Sequence, residues 1–241
     1  VKQNTYTSRG YFSDLVKDTL AKTLSKKVDS FIAINEGVKG IYNQRFGVPL
    51  SKIKRCTHIG VDTDLFNVIN KDKRDEKYII GYCGRVITYK GIWELIEAVS
   101  NIAKCSAVEL RILGDGPERE KLVAFAKDLD WLRVMEKVEH NQVPAFMQDL
   151  DLFVMPSRIL KEHVEHDSHA VLEAMACGLP CIASKSGSNI EVLENIGLLI
   201  EPEDTIVLEK AIKDVMTDSK LALDLGLKGR DRVVKHYSID S

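Results

Sequence analysis

The sequence predicts a doubly wound α/β domain, a parallel sheet with helices on both faces, and three observations carry that prediction. From Tyr78 onward, short and nearly all-apolar runs alternate with longer stretches of helical spacing. Those runs lack the in-and-out alternation of a half-exposed sheet, which marks strands buried on both faces. The conspicuous polar residues sit just past the ends of the apolar runs, where such sheets bind their ligands.

In chain order, the predicted strands are "YIIGYCG" (78–84), "VELRIL" (108–113), "LRVM" (132–135), "LFVMP" (152–156), "CIAS" (181–184) and "GLLI" (197–200). Helical spacing fills 90–104, 117–129, 141–149, 168–177, 188–194, 204–217 and 219–236. The chain before Tyr78 reads differently. An amphipathic helix is predicted over 11–27, with Phe12, Leu15, Val16, Leu20 and Leu24 on one side. A strand "SFIAI" (30–34), a helix over 36–46 and a strand around "KIKRCTHIG" (52–60) follow. "GVDTDLF" and the charged "NKDKRDEK" (70–77) read as a connector. So small a unit buries too little surface for a comfortable independent domain. Residues 1–65 are therefore expected to be the remnant of a larger amino-terminal domain, 66–77 a linker, 78–220 the main domain and 221–241 a carboxy-terminal helix.

The chain has 241 residues, 44% of them hydrophobic, with a formal charge of -2. Lys and Arg are scattered, so nothing in the charge balance points to nucleic acid. The five cysteines, Cys56, Cys83, Cys105, Cys177 and Cys181, contain no CxxC pair and are expected to be reduced, mostly buried thiols of a cytosolic protein. No apolar stretch reaches the length of a membrane span. The chain opens at Val1 rather than Met, which suggests a fragment or a processed form.

One stretch concentrates the chemistry: "VEHDSHAVLEAMACGLPCIAS", from Val164 to Ser184. Glu165 and Glu173 lie eight apart with a helix start between them, whereas neighbours on one helix face are three or four apart. A carboxylate inside "AVLEAMA" needs a partner, because an unpaired buried charge is costly. Something polar is expected in front of that helix. Ser168 or Asp167 can cap its start, and Gly178 followed by Pro180 ends it. Its first amides and its dipole make a seat for phosphate.

This stretch resembles the Glu-x7-Glu signature of retaining nucleotide-sugar glycosyltransferases of family four, which have the GT-B fold. Other segments line up in order. "GVDTDLF" resembles the interdomain linker, "GYCGRVITYKG" the phosphate loop and "RILGDGPERE" the loop after the second strand. "GLLIEPEDTIVLEKAI" and "KGRDRVVKHYS" resemble the last two helices. The resemblance covers roughly residues 28–240 and implies a complete, Rossmann-like donor-binding domain, the GT-B carboxy-terminal half, with only the last pieces of the acceptor domain.

The resemblance implies that Gly84, Arg85 and Lys90 bind the diphosphate of a nucleotide-sugar donor. Fixed cations there favour the transition state over the ground state and can replace a divalent metal, so no metal or cofactor is required. Ser168, His169 and Ala170 would meet the phosphate at the helix start. Glu173 would accept from the ribose hydroxyls, and Glu165, implied to be catalytic with Arg85 and Lys90, would touch a hydroxyl of the donor sugar or stabilise positive charge developing at the anomeric carbon. Gly187 would let the backbone approach the donor, with Ser188 in place of a second glycine. Further departures are His166 and Asp167 after the first glutamate, and Lys137 where a glycine near the base pocket is common. A glycan or lipid-linked sugar is the implied acceptor, and a cytoplasmic site, peripheral at a membrane, the implied location.

Plainer readings stand beside these. Glu173 could serve a salt bridge behind the helix, and Arg85 and Lys90 could be ordinary surface cations. "GDGP" (114–117) could be simple turn chemistry, with Pro117 at the first helical position. His163, His166 and His169 with Glu162 and Glu165 lack the HExxH spacing of a zinc site. "GYCGRV" lacks the GxGxxG turn of a dinucleotide oxidoreductase. The serious rival is a module that binds a nucleotide sugar without transferring it, needing a separate chain for the acceptor half. A sugar-nucleotide epimerase on the same fold is a third alternative.

Overall fold

The computed structural model describes residues 18–33, 36–55, 60–68, 76–160 and 168–240. The chain divides into two compact units between His58 and Ile59. In the first unit, β1 (Phe31–Ala33) pairs in parallel with β2 (Ile53–Arg55). Between them, α1 (Glu36–Gly40) runs on into a π-helical turn over Ile41–Arg45. Among the described residues the core here is Ala33, Val48 and Ile53, with Phe31 and Tyr42 packed ring to ring at 5.4 Å. The expected helix over 11–27 is described from residue 18, and there its apolar Leu20 and Leu24 are exposed.

The second unit is the predicted parallel sheet. Its strands are β3 (Tyr78–Cys83), β4 (Val108–Leu113), β5 (Leu132–Met135), β6 (Leu152–Met155), β7 (Cys181–Ser184) and β8 (Leu198–Ile200). Their spatial order is β5-β4-β3-β6-β7-β8, every pair parallel. The chain winds outward from β3 to β5, then returns to β6 and winds the other way. The strand order therefore reverses between β3 and β6, where this fold leaves a crevice.

Helices cover both faces: α2 (Ile92–Ala103), α3 (Arg119–Ala126), α4 (Val143–Gln148), α5 (His169–Ala176), α6 (Ser188–Leu193), α7 (Thr205–Thr217) and α8 (Ser219–His236). In α2, Ile92, Leu95, Ile96, Val99 and Ile102 recur at three and four residues and all are buried, which is the spacing that makes it a helix and faces it to the sheet. Asp204 caps α7 by accepting from the Val207 amide, and Asp218 caps α8 by accepting from the Lys220 and Leu221 amides. Pro117 is not the first helical residue: α3 starts at Arg119 behind an N-cap at Glu118. No helix among the described residues is long and apolar enough to cross a membrane.

Two segments expected to stand apart belong to this unit. The Val61 amide donates to the Tyr237 carbonyl at 2.7 Å, and Phe66 is buried in the main core, so the chain from Val61 onward is part of the second unit rather than of a remnant ending at 65. The last helix is likewise integral: it spans Ser219–His236, the residues with helical spacing, so a division at 221 falls inside it. Its Arg230 guanidinium donates to the carbonyls of Thr63 (3.1 Å), Phe66 (2.6 Å) and Ala176 (2.6 Å). One side chain thus ties the connector to the carboxyl end of α5, where a cation also complements the helix dipole.

Close approach of α8 to α5 depends on glycine. A Cβ built on Gly226 would lie 2.2 Å from the Gly178 carbonyl oxygen. Gly226→Ala would gain about 1 kcal/mol of helix propensity. The clash is with backbone, which cannot swing aside, and overpacking costs about 1–3 kcal/mol. The clash should win, and chemical denaturation should show a lower midpoint for the variant at unchanged slope.

Candidate functional site

Past the carboxyl ends of β3, β4 and β5 the chain leaves an open cavity of about 760 Å³. Gly84 and Arg85 line it after β3, Gly114 and Gly116 after β4, and Lys137 and His140 after β5. Its floor is two loops in backbone contact. A Cβ on Gly114 would fall 1.9 Å from the Gly84 carbonyl oxygen, and one on Gly116 would fall 2.4 Å from that of Val86. The glycines of "GDGP" therefore serve this interlock. The Arg85 backbone is pinned by the buried Tyr82, whose hydroxyl donates to the Arg85 carbonyl at 2.8 Å. Its side chain is exposed on the cavity wall.

The expected partner in front of the Val164–Ser184 stretch is His140. Glu173 sits in the second turn of α5 with 7% of its surface exposed. Its Oε1 lies 2.8 Å from His140 Nε2. His140 opens a 3-10 turn (His140–Gln142) closed by a reciprocal capping box between Glu139 and Gln142. Its ring also packs at 5.4 Å from that of Phe66. Burial raises the Cys83 thiol to about 12, and the Glu173 charge adds to the effect, so the carboxylate acts on the last residue of β3 at the cavity edge.

The other predicted residues among those described do not line this cavity. Lys90 ends the turn Thr88–Lys90, its Nζ 5.9 Å from the Tyr89 ring centroid, and does not line the cavity. Gly91 follows with φ 70, and a Cβ there would meet the Pro156 carbonyl oxygen at 1.9 Å, so the turn is locked against the loop after β6. Arg158 of that loop donates its amide to the Tyr89 carbonyl at 2.8 Å and forms an ion pair with the buried Glu94 of α2.

Ser168 holds the N-cap position of α5 without the expected capping bond. At φ -92 and ψ 29 it lacks the extended backbone that aims a hydroxyl at the first turn. Its buried hydroxyl donates to Asn189 Oδ1 at 2.7 Å instead, so Ser188 supplies the proton to the 2.8 Å contact between the two serine hydroxyls. Asn189 in turn donates to the Ser184 carbonyl at 3.3 Å. The starts of α5 and α6 are thus joined, with His169 and Ala170 in the first turn of α5 and Gly187, at φ 51, as the N-cap of α6. Glu165, Asp167 and the histidine cluster at His163 and His166 lie outside the described residues. Among the described residues, no group of three or more His, Cys, Asp or Glu could hold a metal ion.

Sequence reasoning missed His140 and Asn189. A signal existed for the first, since a carboxylate inside an apolar helix demands a partner. The sequence held nothing to say that "EHNQ", 33 residues upstream, supplies it.

Residues 66–232 match the family described as glycosyl transferases group 1. A GDP-mannose-dependent alpha-(1-6)-phosphatidylinositol monomannoside mannosyltransferase of Mycolicibacterium smegmatis is 26% identical over 240 residues, covering 92% of this chain and 62% of that protein. The chain therefore spans less than two thirds of that relative's length. The crystal structure of the C-terminal domain of the glycosyl transferase group 1 family protein LpcC from Francisella tularensis aligns with a TM-score of 0.63 at 28% identity, covering 75% of this chain and all of that one. Anabaena HepE in complex with UDP has the same fold, with a TM-score of 0.78 at 18% identity over 93% of this chain and 64% of that one.

The thiols beside the site make a measurable prediction. Burial pushes Cys177 up to about 12, against a smaller opposing effect of Arg230, and burial raises Cys181 further. At pH 8 the exposed Cys105 should take up a maleimide quickly, while Cys83, Cys177 and Cys181 stay unlabelled by peptide mass spectrometry. Raised folded-state values stabilise the fold fully below pH 9, the ordinary thiol value, and that stability is lost as pH rises toward 12. The denaturation midpoint should be lower at pH 10 than at pH 8.

Proposed function

The chain belongs to the glycosyl transferases group 1 family, and on that footing we propose that its second unit is the donor-binding half of a glycosyltransferase. It binds a nucleotide-diphosphate sugar in the cavity beyond β3, β4 and β5 and transfers the sugar with retention at the anomeric carbon. The observation that carries the reading is one cavity lined by an exposed cation, Arg85, and by His140, whose ring meets the buried Glu173 carboxylate, at the end of the strand where the strand order reverses.

Breaking the sugar–phosphate bond leaves extra negative charge on the diphosphate. Arg85 offers a planar fork to two of its oxygens, and Lys90 adds a positive charge from the neighbouring turn. A cation fixed where charge develops stabilises the transition state more than the ground state, so these residues take the part that a divalent metal plays elsewhere. The backbone locks at Tyr82 and Gly91 serve this role, because a cation that needs no rearrangement loses nothing at the moment of transfer. Glu173 takes the ribose hydroxyls, Glu165 the donor sugar, and the first turn of α5, with Ser168, His169 and Ala170, faces the phosphate. Gly187 and Ser188 border the sugar. A glycan or lipid-linked sugar is the acceptor, a reading supported by the name of the mycobacterial relative.

Titration calorimetry with UDP, GDP and ADP tests the proposal and selects the base. Arg85→Ala removes a charge-assisted contact of about 1.5–3 kcal/mol, so affinity for the preferred diphosphate should fall roughly tenfold to hundredfold. The exposed side chain leaves the fold intact, which circular dichroism checks. Equal affinity for wild type and variant would remove Arg85 from the site.

A further inference from the structure

We propose that His140 is a positioning residue for the ribose-side acid: it holds the Glu173 carboxylate in the plane and orientation in which a ribose diol can meet it. The inference rests on the reading of Glu173 as the ribose acceptor. It adds a residue that the Glu-x7-Glu resemblance does not include.

The contact is unequal in a way that points to this role. The Glu173 side chain is 9% exposed and that of His140 is 68% exposed. A pair of two exposed groups would contribute little, since water competes for both. Here the carboxylate is the buried member, so it gains from a donor near at hand, and the imidazole is the member that reaches the cavity. Nε2–H donates to Oε1 in the imidazolium and in one neutral tautomer, so the contact does not need a charged ring.

His140 is itself held from three sides. Its backbone lies in a turn closed by the Glu139–Gln142 capping box, its ring rests beside that of the buried Phe66, and its Nε2 meets Glu173. Arg230 anchors the Phe66 backbone in turn. A side chain so placed transmits orientation. The carboxylate has two oxygens in one plane, and fixing Oε1 against Nε2 fixes where Oε2 points. A vicinal diol needs both oxygens presented together, so a carboxylate free to rotate would meet it less often in the productive geometry. The residue number spacing between His140 and Glu173 is arbitrary, and what matters is that the turn after β5 comes back to the helix after β6.

The test pairs variants with ligands. Take the diphosphate among UDP, GDP and ADP that binds tightest to the full chain, and its 2′,3′-dideoxy counterpart, and measure both by calorimetry. His140→Ala should weaken binding of the ribonucleotide roughly fivefold to tenfold and change that of the dideoxy form less than about twofold. His140→Gln, whose amide nitrogen can reach the same oxygen, should restore most of the loss. Loss of affinity for both ligands alike would make His140 a structural residue and overturn the proposal, as would full ribonucleotide affinity in His140→Ala. Glu173→Gln separates the two layers. If it weakens both ligands alike or neither, the ribose reading of Glu173 falls and the proposal with it. If it weakens the ribonucleotide selectively while His140→Ala does not, the proposal alone falls.

Discussion

A carboxylate in the middle of a buried helix is the constraint around which this domain is arranged. Five of the eight residues of α5 besides Glu173 are buried and apolar, which is what packs the helix onto the sheet. A charge among them is tolerated only where it can reach something polar. Within that limit the geometry has few options. The side chain points to the carboxyl edge of the sheet, where β3 ends and the turn after β5 supplies His140. His140, which meets that charge, also lines the cavity and packs beside the connector residue Phe66.

The rest of the site is built by backbone rather than by side chains. Gly91, Gly114 and Gly116 stand where two chain segments touch, and a Cβ on any of them would meet a backbone carbonyl oxygen. Loops locked in this way hold the backbone at Arg85 and at the turn carrying Lys90 in place. Elsewhere polar side chains make the links: Ser168, Ser188, Asn189 and Ser184 tie the starts of two helices to the end of β7. Ser168 thereby gives up its capping role to join α5 to α6.

Much of the sheet was legible in the sequence. "VELRIL", "LRVM" and "CIAS" are apolar runs bounded by turn residues, and the strands span the same residues. Burial on both faces makes such runs easy to read, because no alternation dilutes them. The helix ends were less legible, as at Pro117, where local turn geometry delays the helix by two residues. The domain divisions at 65 and 220 were misplaced for a different reason: the packing there depends on Arg230, whose three carbonyl partners lie far away in sequence. His140 was invisible for the same cause. β5 lies at the far edge of the sheet from β6, and periodicity carries no information about a turn that leans back across two strands.

The three bonds of Arg230 have a consequence for where the chain can be cut. A piece trimmed to begin at the sheet's first long strand keeps the guanidinium but discards the Thr63 and Phe66 carbonyls that receive it, and with them the ring beside His140. That piece exposes the apolar seat of Phe66 and strips a donor-rich cation of most of its acceptors. One that begins ahead of Val61 retains the anchor, the seat and the Val61–Tyr237 bond together. For crystallography or screening, the natural severing point therefore lies upstream of the short aspartate-rich turn, not at the glycine-flanked strand that looks like the start of the domain.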